Sequence, residues 1–264
     1  MTTAIRGALL TLCAGTLAFG GAPCRAHGVP RDQLRRIVQQ QCVPDWLKAR
    51  DPSPCVSVTL PGSRAGADGY AVLADIKGGA HYLLIPIASI GGIESPQLRA
   101  PDAFNYLAAA WTERRVLVRS VGHAVPRDAV GLAVNSMRAR SQDQLHIHIS
   151  CVRPAVRSAL IAAESRIGAS WSSMTLRGSR YHALRIMGRT LRRNPFALLA
   201  DGVPGAAQEM GHFTMLVAGI EFREGPGFIV LAGSSVPGAE LLLDPSCALA
   251  AHGERRSASG ADAR

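Results

Sequence analysis

The chain has 264 residues, which is long enough for one large domain or for two small domains that share a core. Hydrophobic residues make up 47% of it and charged residues 18%, which excludes an intrinsically disordered protein. The formal net charge is +10, but no basic run is interleaved with aromatic residues. We therefore predict small anionic ligands and an anionic lipid surface as partners, and no nucleic acid.

Residues 1–26 have the pattern of a targeting segment. Arg6 precedes an uncharged apolar stretch from Gly7 to Ala22, and small residues follow before Ala26. This pattern is typical of a secretory signal peptide, or of a retained signal anchor if it is not cleaved. The apolar stretch is short for a helix that spans a membrane, which needs about 20 residues. Either reading predicts that residues 27–250 are exported.

Outside the targeting segment the sequence contains four cysteines, which are Cys42, Cys55, Cys151 and Cys247. An even number of cysteines in an exported chain indicates two disulfides, for which three connectivities exist. Cys42 and Cys55 flank a proline-rich loop, so a local bridge between them is preferred, and Cys151 would then pair with Cys247. A metal site built from these cysteines is disfavoured because no Cys-x-x-Cys spacing occurs.

The hydrophobic periodicity predicts an α+β fold. A helix is expected over residues 31–41, with Asp32 as a capping candidate and a loop up to Cys55. Two further helices are predicted over residues 101–118 and 155–167, and strands over 56–60, 69–73, 80–86, 129–135, 145–152, 213–220 and 228–232.

This order of elements favours an antiparallel sheet with helices packed on one face. A C-terminal α+β segment from Trp171 extends the sheet, and the domain over residues 27–250 could be subdivided near residues 155–170. A polar loop rich in arginine, residues 136–144, joins two of the predicted strands. The tail over residues 251–264 is small and polar, so it is predicted to be disordered.

The densest chemical signal is an alternation of polar and apolar residues that includes two histidines. Gln144, His146, His148 and Ser150 are separated by single apolar residues, so in a strand they would share one face. A histidine can attack phosphorus directly, and a neighbouring donor can fix its tautomer. Two other readings stay open: a metal pair, for which the sequence offers no clear third ligand, and two half-exposed surface histidines.

This segment resembles the signature of the histidine-triad superfamily, in which three histidines alternate with apolar residues. Gln144 occupies the position of the first histidine, His146 that of the nucleophile and His148 that of the third histidine. Longer stretches resemble the bacterial CDP-diacylglycerol pyrophosphatases of that superfamily, namely residues 34–38, 41–42, 52–55, 92–96, 132–136, 146–154, 194–196 and 198–200 together with the late Cys247. The resemblance therefore covers most of the chain after the targeting segment.

The resemblance implies an enzyme of phospholipid metabolism that hydrolyses CDP-diacylglycerol to CMP and phosphatidate on the periplasmic side of the inner membrane. It implies that His146 forms a nucleotidyl-histidine intermediate and that His148 contacts the phosphates, without a cofactor or a metal. The residues expected to bind substrate are Gln144, Asn135, Ser141, Gln142, His81, Asp75, Arg138 and Arg140, with Asp75 near the ribose and His81 near the phosphates.

Some parts of this interpretation have alternatives. The nearby Arg138, Arg140 and Arg153 suit bidentate phosphate binding, but each is equally consistent with a solvated loop charge. The chain could instead be an exported hydrolase or transferase of soluble nucleoside pyrophosphates. It could also be a non-catalytic nucleotide- or lipid-binding protein in which Gln144 marks a degenerate site.

Overall fold

The computed structural model describes residues 30–62 and 68–250, so the predicted targeting segment and C-terminal tail lie outside the described residues. The α-helices are α1 (Gln33–Ile37), α2 (Val43–Ala49), α3 (Tyr106–Glu113), α4 (Val118–Val121), α5 (Pro154–Ala163), α6 (Pro195–Gly202) and α7 (Ala206–Glu209). The strands are β1 (Ser57–Thr59), β2 (Tyr70–Ala74), β3 (His81–Pro86), β4 (Val130–Val134), β5 (Ile147–Val152), β6 (Ser172–Leu176), β7 (Ser179–Met187), β8 (Phe213–Phe222), β9 (Gly225–Ser234) and β10 (Leu243–Asp244).

Within the described residues, ten strands form one antiparallel sheet, which confirms the predicted α+β class. Nine of them follow the order β1-β2-β3-β5-β4-β8-β9-β7-β6, and β10 pairs with the end of β5. Strand β5 lies between β3 and β4, with His148 opposite Leu83 on one side and Ala133 on the other. Strand β4 also pairs with β8, so the C-terminal strands continue the same sheet.

Helices cover both faces of this sheet, whereas the sequence favoured one. Neighbouring residues of β4 belong to different apolar clusters: Leu132 packs in the cluster that contains Trp111 of α3, and Ala133 packs in the cluster that contains Leu160 of α5. Adjacent residues of a strand point to opposite faces of the sheet. When both are apolar, both faces have to be buried against other elements. A third cluster joins α1 and α2 to the β1–β3 end of the sheet.

Two predicted helix boundaries are wrong. The N-terminal helical segment does not end at residue 41 but continues through a π-helical turn, Val38–Cys42, into α2, because Pro44 falls in the first turn, where proline is tolerated. The helix predicted from residue 101 begins at Tyr106, since the Asn105 side chain accepts a hydrogen bond from the amide of Ala108.

Asp32 occupies the N-cap position of α1 but does not cap it through its side chain. Its carboxylate instead accepts from Arg36 at 2.9 Å on the next turn, which is a common helix pair. The strand predicted from residue 145 begins at Ile147, so His146 lies in the segment that leads into β5.

Both preferred disulfides are present, Cys42–Cys55 and Cys151–Cys247. The first links the end of the π-helical turn to the segment before β1, and the second links β5 to the segment after β10. Among residues 30–62 and 68–250, no helix has the length and apolar character needed to cross a membrane.

Candidate active site

A cavity of about 800 Å³ lies against the sheet face to which β5 presents His148. Its apolar lining residues come from α1, β2, β3 and the segments next to them; they are Leu34, Ile37, Pro54, Leu73, Ile76 and Leu83. Its polar lining residues include Asp75, Asn135, Ser141, Gln142, His146, His148 and Glu240. An apolar cavity with a few converging polar groups is the usual form of a small-molecule site.

The main chain orients the His146 ring. Its Nδ1 atom lies 2.7 Å from the carbonyl oxygen of Gln144, so Nδ1 carries the proton and donates it. This tautomer leaves the lone pair on Nε2. Burial lowers the pKa of His146, which favours the neutral ring at pH 7. A neutral imidazole with a lone pair on Nε2, beside a cavity, is the form that can attack phosphorus.

His148 belongs to a hydrogen-bonded chain of buried side chains. Its Nδ1 atom is 2.9 Å from Nε2 of His81 and its Nε2 atom is 3.5 Å from Nδ2 of Asn135. The main-chain N–H of Glu240 donates to Oδ1 of Asn135. This contact fixes the orientation of the Asn135 side-chain amide, in which Nδ2 faces His148. His148 therefore accepts at Nε2 and donates to His81 through Nδ1. Burial and the neighbouring His146 hold the pKa of His148 well below its usual range.

Asp75 and His81 stand at the other end of this chain. Oδ2 of Asp75 lies 3.9 Å from Nδ1 of His81, and that nitrogen has no hydrogen-bond partner among the described residues. Burial lowers the pKa of His81. The ligand atoms of Asp75, His81 and His148 lie within 4.8 Å of one another, so this group could hold a metal ion. The sequence suggested a metal pair of His146 and His148 without a third ligand. The structure instead groups His148 with Asp75 and His81, and His146 is not part of this group.

The predicted four-residue polar strip divides into two parts. His146 and His148 line the cavity and are buried, so the alternative of half-exposed surface histidines is wrong. Gln144 donates from Nε2 to the carbonyls of Pro86 and Ala88, and Ser150 donates to another main-chain carbonyl. Neither residue lines the cavity, so the structure does not bring Gln144 to the place where it was expected to bind substrate.

The two loop residues expected near the phosphates, Ser141 and Gln142, both line the cavity. The Gln142 side chain is already engaged: Oε1 accepts from the amide of Leu34 at 3.0 Å and Nε2 donates to the carbonyl of Pro30. Gln142 therefore holds the start of α1 against the cavity, which is a contact that the sequence did not reveal.

The three arginines considered for phosphate binding do not line the cavity. Arg140 is buried and donates to Glu94 at 2.6 Å and to Asp143 at 3.1 Å, which fixes the loop after β4. Arg138 is exposed beside a separate, smaller depression, and Arg153 donates to the carbonyl of Leu241. A role for any of them in binding phosphate therefore requires movement of the side chain.

Sequence reasoning missed Glu240, which lies in a 3-10 turn (Ala239–Leu242) between β9 and β10. Its Oε2 atom is 3.7 Å from Nε2 of His148 and 3.2 Å from Nζ of Lys77. A single acidic residue in an otherwise apolar stretch far from the histidines offers no sequence pattern. The pairing of β10 with β5 brings this turn to the cavity, together with hydrogen bonds from the amides of Ala239 and Glu240 to Thr214 and Asn135.

Comparison with known proteins assigns a family to this fold and site. The family model of the CDP-diacylglycerol pyrophosphatases matches residues 29–251. A CDP-diacylglycerol pyrophosphatase from Yersinia pestis is 36% identical over 253 residues, which is 92% of this chain and 95% of the relative. Both matches include the cavity, the two histidines and Glu240.

Proposed function

The chain belongs to the CDP-diacylglycerol pyrophosphatase family, and from that premise we propose that it hydrolyses CDP-diacylglycerol to CMP and phosphatidate through a covalent intermediate on His146. The observation that carries the mechanism is the hydrogen bond from Nδ1 of His146 to the carbonyl of Gln144. It fixes the tautomer in which Nε2 bears the lone pair, so no base has to deprotonate the nucleophile.

The reaction takes place in two displacements. Nε2 of His146 attacks the cytidine-side phosphorus, the bond to the bridging oxygen breaks, and phosphatidate leaves with that oxygen. Water then attacks the same phosphorus, the bond to Nε2 breaks, and CMP is released with one water proton passing to a base. Asn135 and Ser141, which share the cavity with His146, supply polar contacts to the phosphate oxygens.

In this proposal His148 forms a hydrogen bond with the substrate phosphates. In the free protein it is neutral, and Asn135 donates to its Nε2 atom. An anionic phosphate at that position favours the protonated ring, whose N–H then donates to a phosphate oxygen. The hydrogen bond with His81 keeps the ring plane fixed. Asp75, at the end of this chain of side chains, is the residue proposed to contact the ribose.

The test is CMP release from CDP-diacylglycerol in detergent micelles with EDTA present. His146→Ala should lose about 10⁴-fold or more in turnover, as removal of a nucleophile does in other hydrolases. His212→Ala is the matched control, because this histidine is half-buried outside the cavity. Loss of wild-type activity in EDTA would instead assign the chemistry to a metal on Asp75, His81 and His148.

The remaining alternatives are separated by the choice of substrate. A hydrolase of soluble nucleoside pyrophosphates would turn over water-soluble CDP-alcohols at least as well as the lipid. A non-catalytic binding protein would bind the nucleotide saturably and release no CMP. The family match favours the lipid nucleotide. We propose further that the reaction belongs to phospholipid metabolism and takes place on the periplasmic side of the inner membrane.

A further inference from the structure

Glu240 is an acidic group on the wall of a cavity that receives an anionic substrate. A carboxylate at this position repels the phosphates, so its presence needs a physical reason. An ion pair with Lys77 at 3.2 Å offers a structural one, but the Lys77 side chain is largely exposed, and exposed pairs stabilise proteins little. The carboxylate also lies 3.7 Å from Nε2 of His148, and Lys77, His148 and Glu240 all line the cavity.

The second displacement requires a base for the attacking water. His146 cannot serve, because its Nε2 atom is bonded to phosphorus in the intermediate. In the proposed function His148 donates to a phosphate through a protonated Nε2 and to His81 through Nδ1, so neither ring nitrogen can accept the proton of the water. Asp75 accepts from the amide of Lys77 through Oδ1 and faces His81 through Oδ2. Among the described residues that line the cavity, Glu240 is the carboxylate left for this task.

Glu240 also lies close to the two histidines of the cavity. The His146 and His148 rings lie next to each other, with centroids 5.1 Å apart, and Oε2 of Glu240 lies 3.7 Å from Nε2 of His148. A water between the carboxylate and a phosphoryl group on His146 is within the reach of a general base. In-line displacement requires the water to enter from the side that phosphatidate has left.

We propose that Glu240 is the general base of the second step, a role that rests on the proposed function. Its carboxylate takes one proton from the water, the new oxygen–phosphorus bond forms, and the bond from phosphorus to Nε2 of His146 breaks. The electron pair of that bond returns to Nε2, CMP leaves, and protonated Glu240 later loses its proton to solvent. Glu240 therefore determines how fast the intermediate is hydrolysed and not how fast it forms.

The experiment follows phosphatidate and CMP separately during the first turnovers, with CDP-diacylglycerol labelled at the cytidine-side phosphorus and alkaline quenching to preserve the phosphoramidate. In Glu240→Gln the first equivalent of phosphatidate should appear at the wild-type rate. CMP release should fall by about 10²-fold, and labelled protein should accumulate to about one per chain. Glu240→Asp keeps a carboxylate and should recover part of the CMP release.

Lys77→Gln is the matched control, because it breaks the same ion pair and leaves the carboxylate in place. It should accumulate no labelled protein. Equal slowing of phosphatidate and CMP in Glu240→Gln, without labelled protein, would overturn the role of Glu240, and so would equal accumulation in Lys77→Gln. A wild-type protein that forms no labelled intermediate while His146→Ala still releases CMP would overturn the proposed function itself.

Discussion

The ring of His146, the proposed nucleophile, is oriented by a main-chain atom, so its orientation does not depend on which side chain residue 144 carries. His146 donates to the carbonyl oxygen of residue 144, an atom that every amino acid provides. The Gln144 side chain instead binds the carbonyls of Pro86 and Ala88, next to β3. Residue 144 therefore stabilises the segment before β5 through its side chain and orients the histidine through its backbone.

The buried histidines predict how the stability of the protein depends on pH. Burial lowers the pKa of His81, His146 and His148 in the folded protein, whereas histidines in the unfolded chain titrate near their ordinary value of about 6.5. Below that pH the unfolded chain binds more protons than the folded protein. The free energy of unfolding should therefore decrease as pH falls below about 6.5 and level off below the folded pKa values.

Thermal unfolding between pH 8 and pH 5 measures this effect. His81→Gln removes one of the three groups, so its melting temperature should depend less steeply on pH than that of the wild type. Identical slopes in the two proteins would show that His81 does not contribute to the pH dependence.

At the scale of elements, the turn between β2 and β3 is the feature that best suits a membrane-bound substrate. Ile76 in this turn is fully exposed, and it lines the mouth of the cavity. Leu241, next to Glu240, is also exposed at 53%. With the net charge of +10, we propose that this rim contacts an anionic bilayer while the headgroup enters the cavity.

Ile76→Asp should weaken binding to vesicles that contain anionic phospholipid by about 10-fold or more, because burial of an isoleucine contributes about 1.5–3 kcal/mol. Sedimentation of the protein with vesicles measures the binding. Ile161→Asp is the matched control, since Ile161 is an exposed residue of α5 that does not line the cavity. Equal losses in the two variants would indicate general charge repulsion instead of a specific contact.

At the scale of the whole molecule, the pairing of β4 with β8 and the disulfide between Cys151 and Cys247 join the two halves of the chain. The second disulfide closes a loop with a sequence separation of 96, whereas Cys42–Cys55 closes one of 13. Loop-closure entropy in the unfolded chain grows with the length of the closed loop. The longer loop should therefore contribute more to stability.

We predict that the double variant Cys151→Ala with Cys247→Ala loses about 5 kcal/mol of unfolding free energy, against about 3 kcal/mol for Cys42→Ala with Cys55→Ala. Denaturant unfolding followed by both tryptophan fluorescence and circular dichroism measures each value. A single transition with coincident probes is expected in the wild type, because one sheet carries both halves. Two separate transitions would favour the subdivision near residues 155–170.

The structure agrees with the sequence most closely where the signal is local. Strands β3, β4, β5, β8 and β9 were predicted from short segments rich in apolar residues, and nearly every residue in them is buried. The short proline-rich loop between Cys42 and Cys55 predicted a disulfide between them. The second disulfide then had to join the two remaining cysteines, and the structure contains both. Strands β6 and β7 were not identified individually, because serine, arginine and other polar residues interrupt their apolar residues.

By itself, the sequence determined the α+β class, the two histidines of the site and the resemblance to a family. These depend on residue types at spacings of a few positions. The tertiary structure decided which polar groups meet in the cavity: it brought in Glu240 through the pairing of β10 with β5, and it held Arg140 and Gln144 outside. The physical reason is that a hydrogen bond or ion pair between distant residues depends on strand register, which no short stretch of the chain encodes.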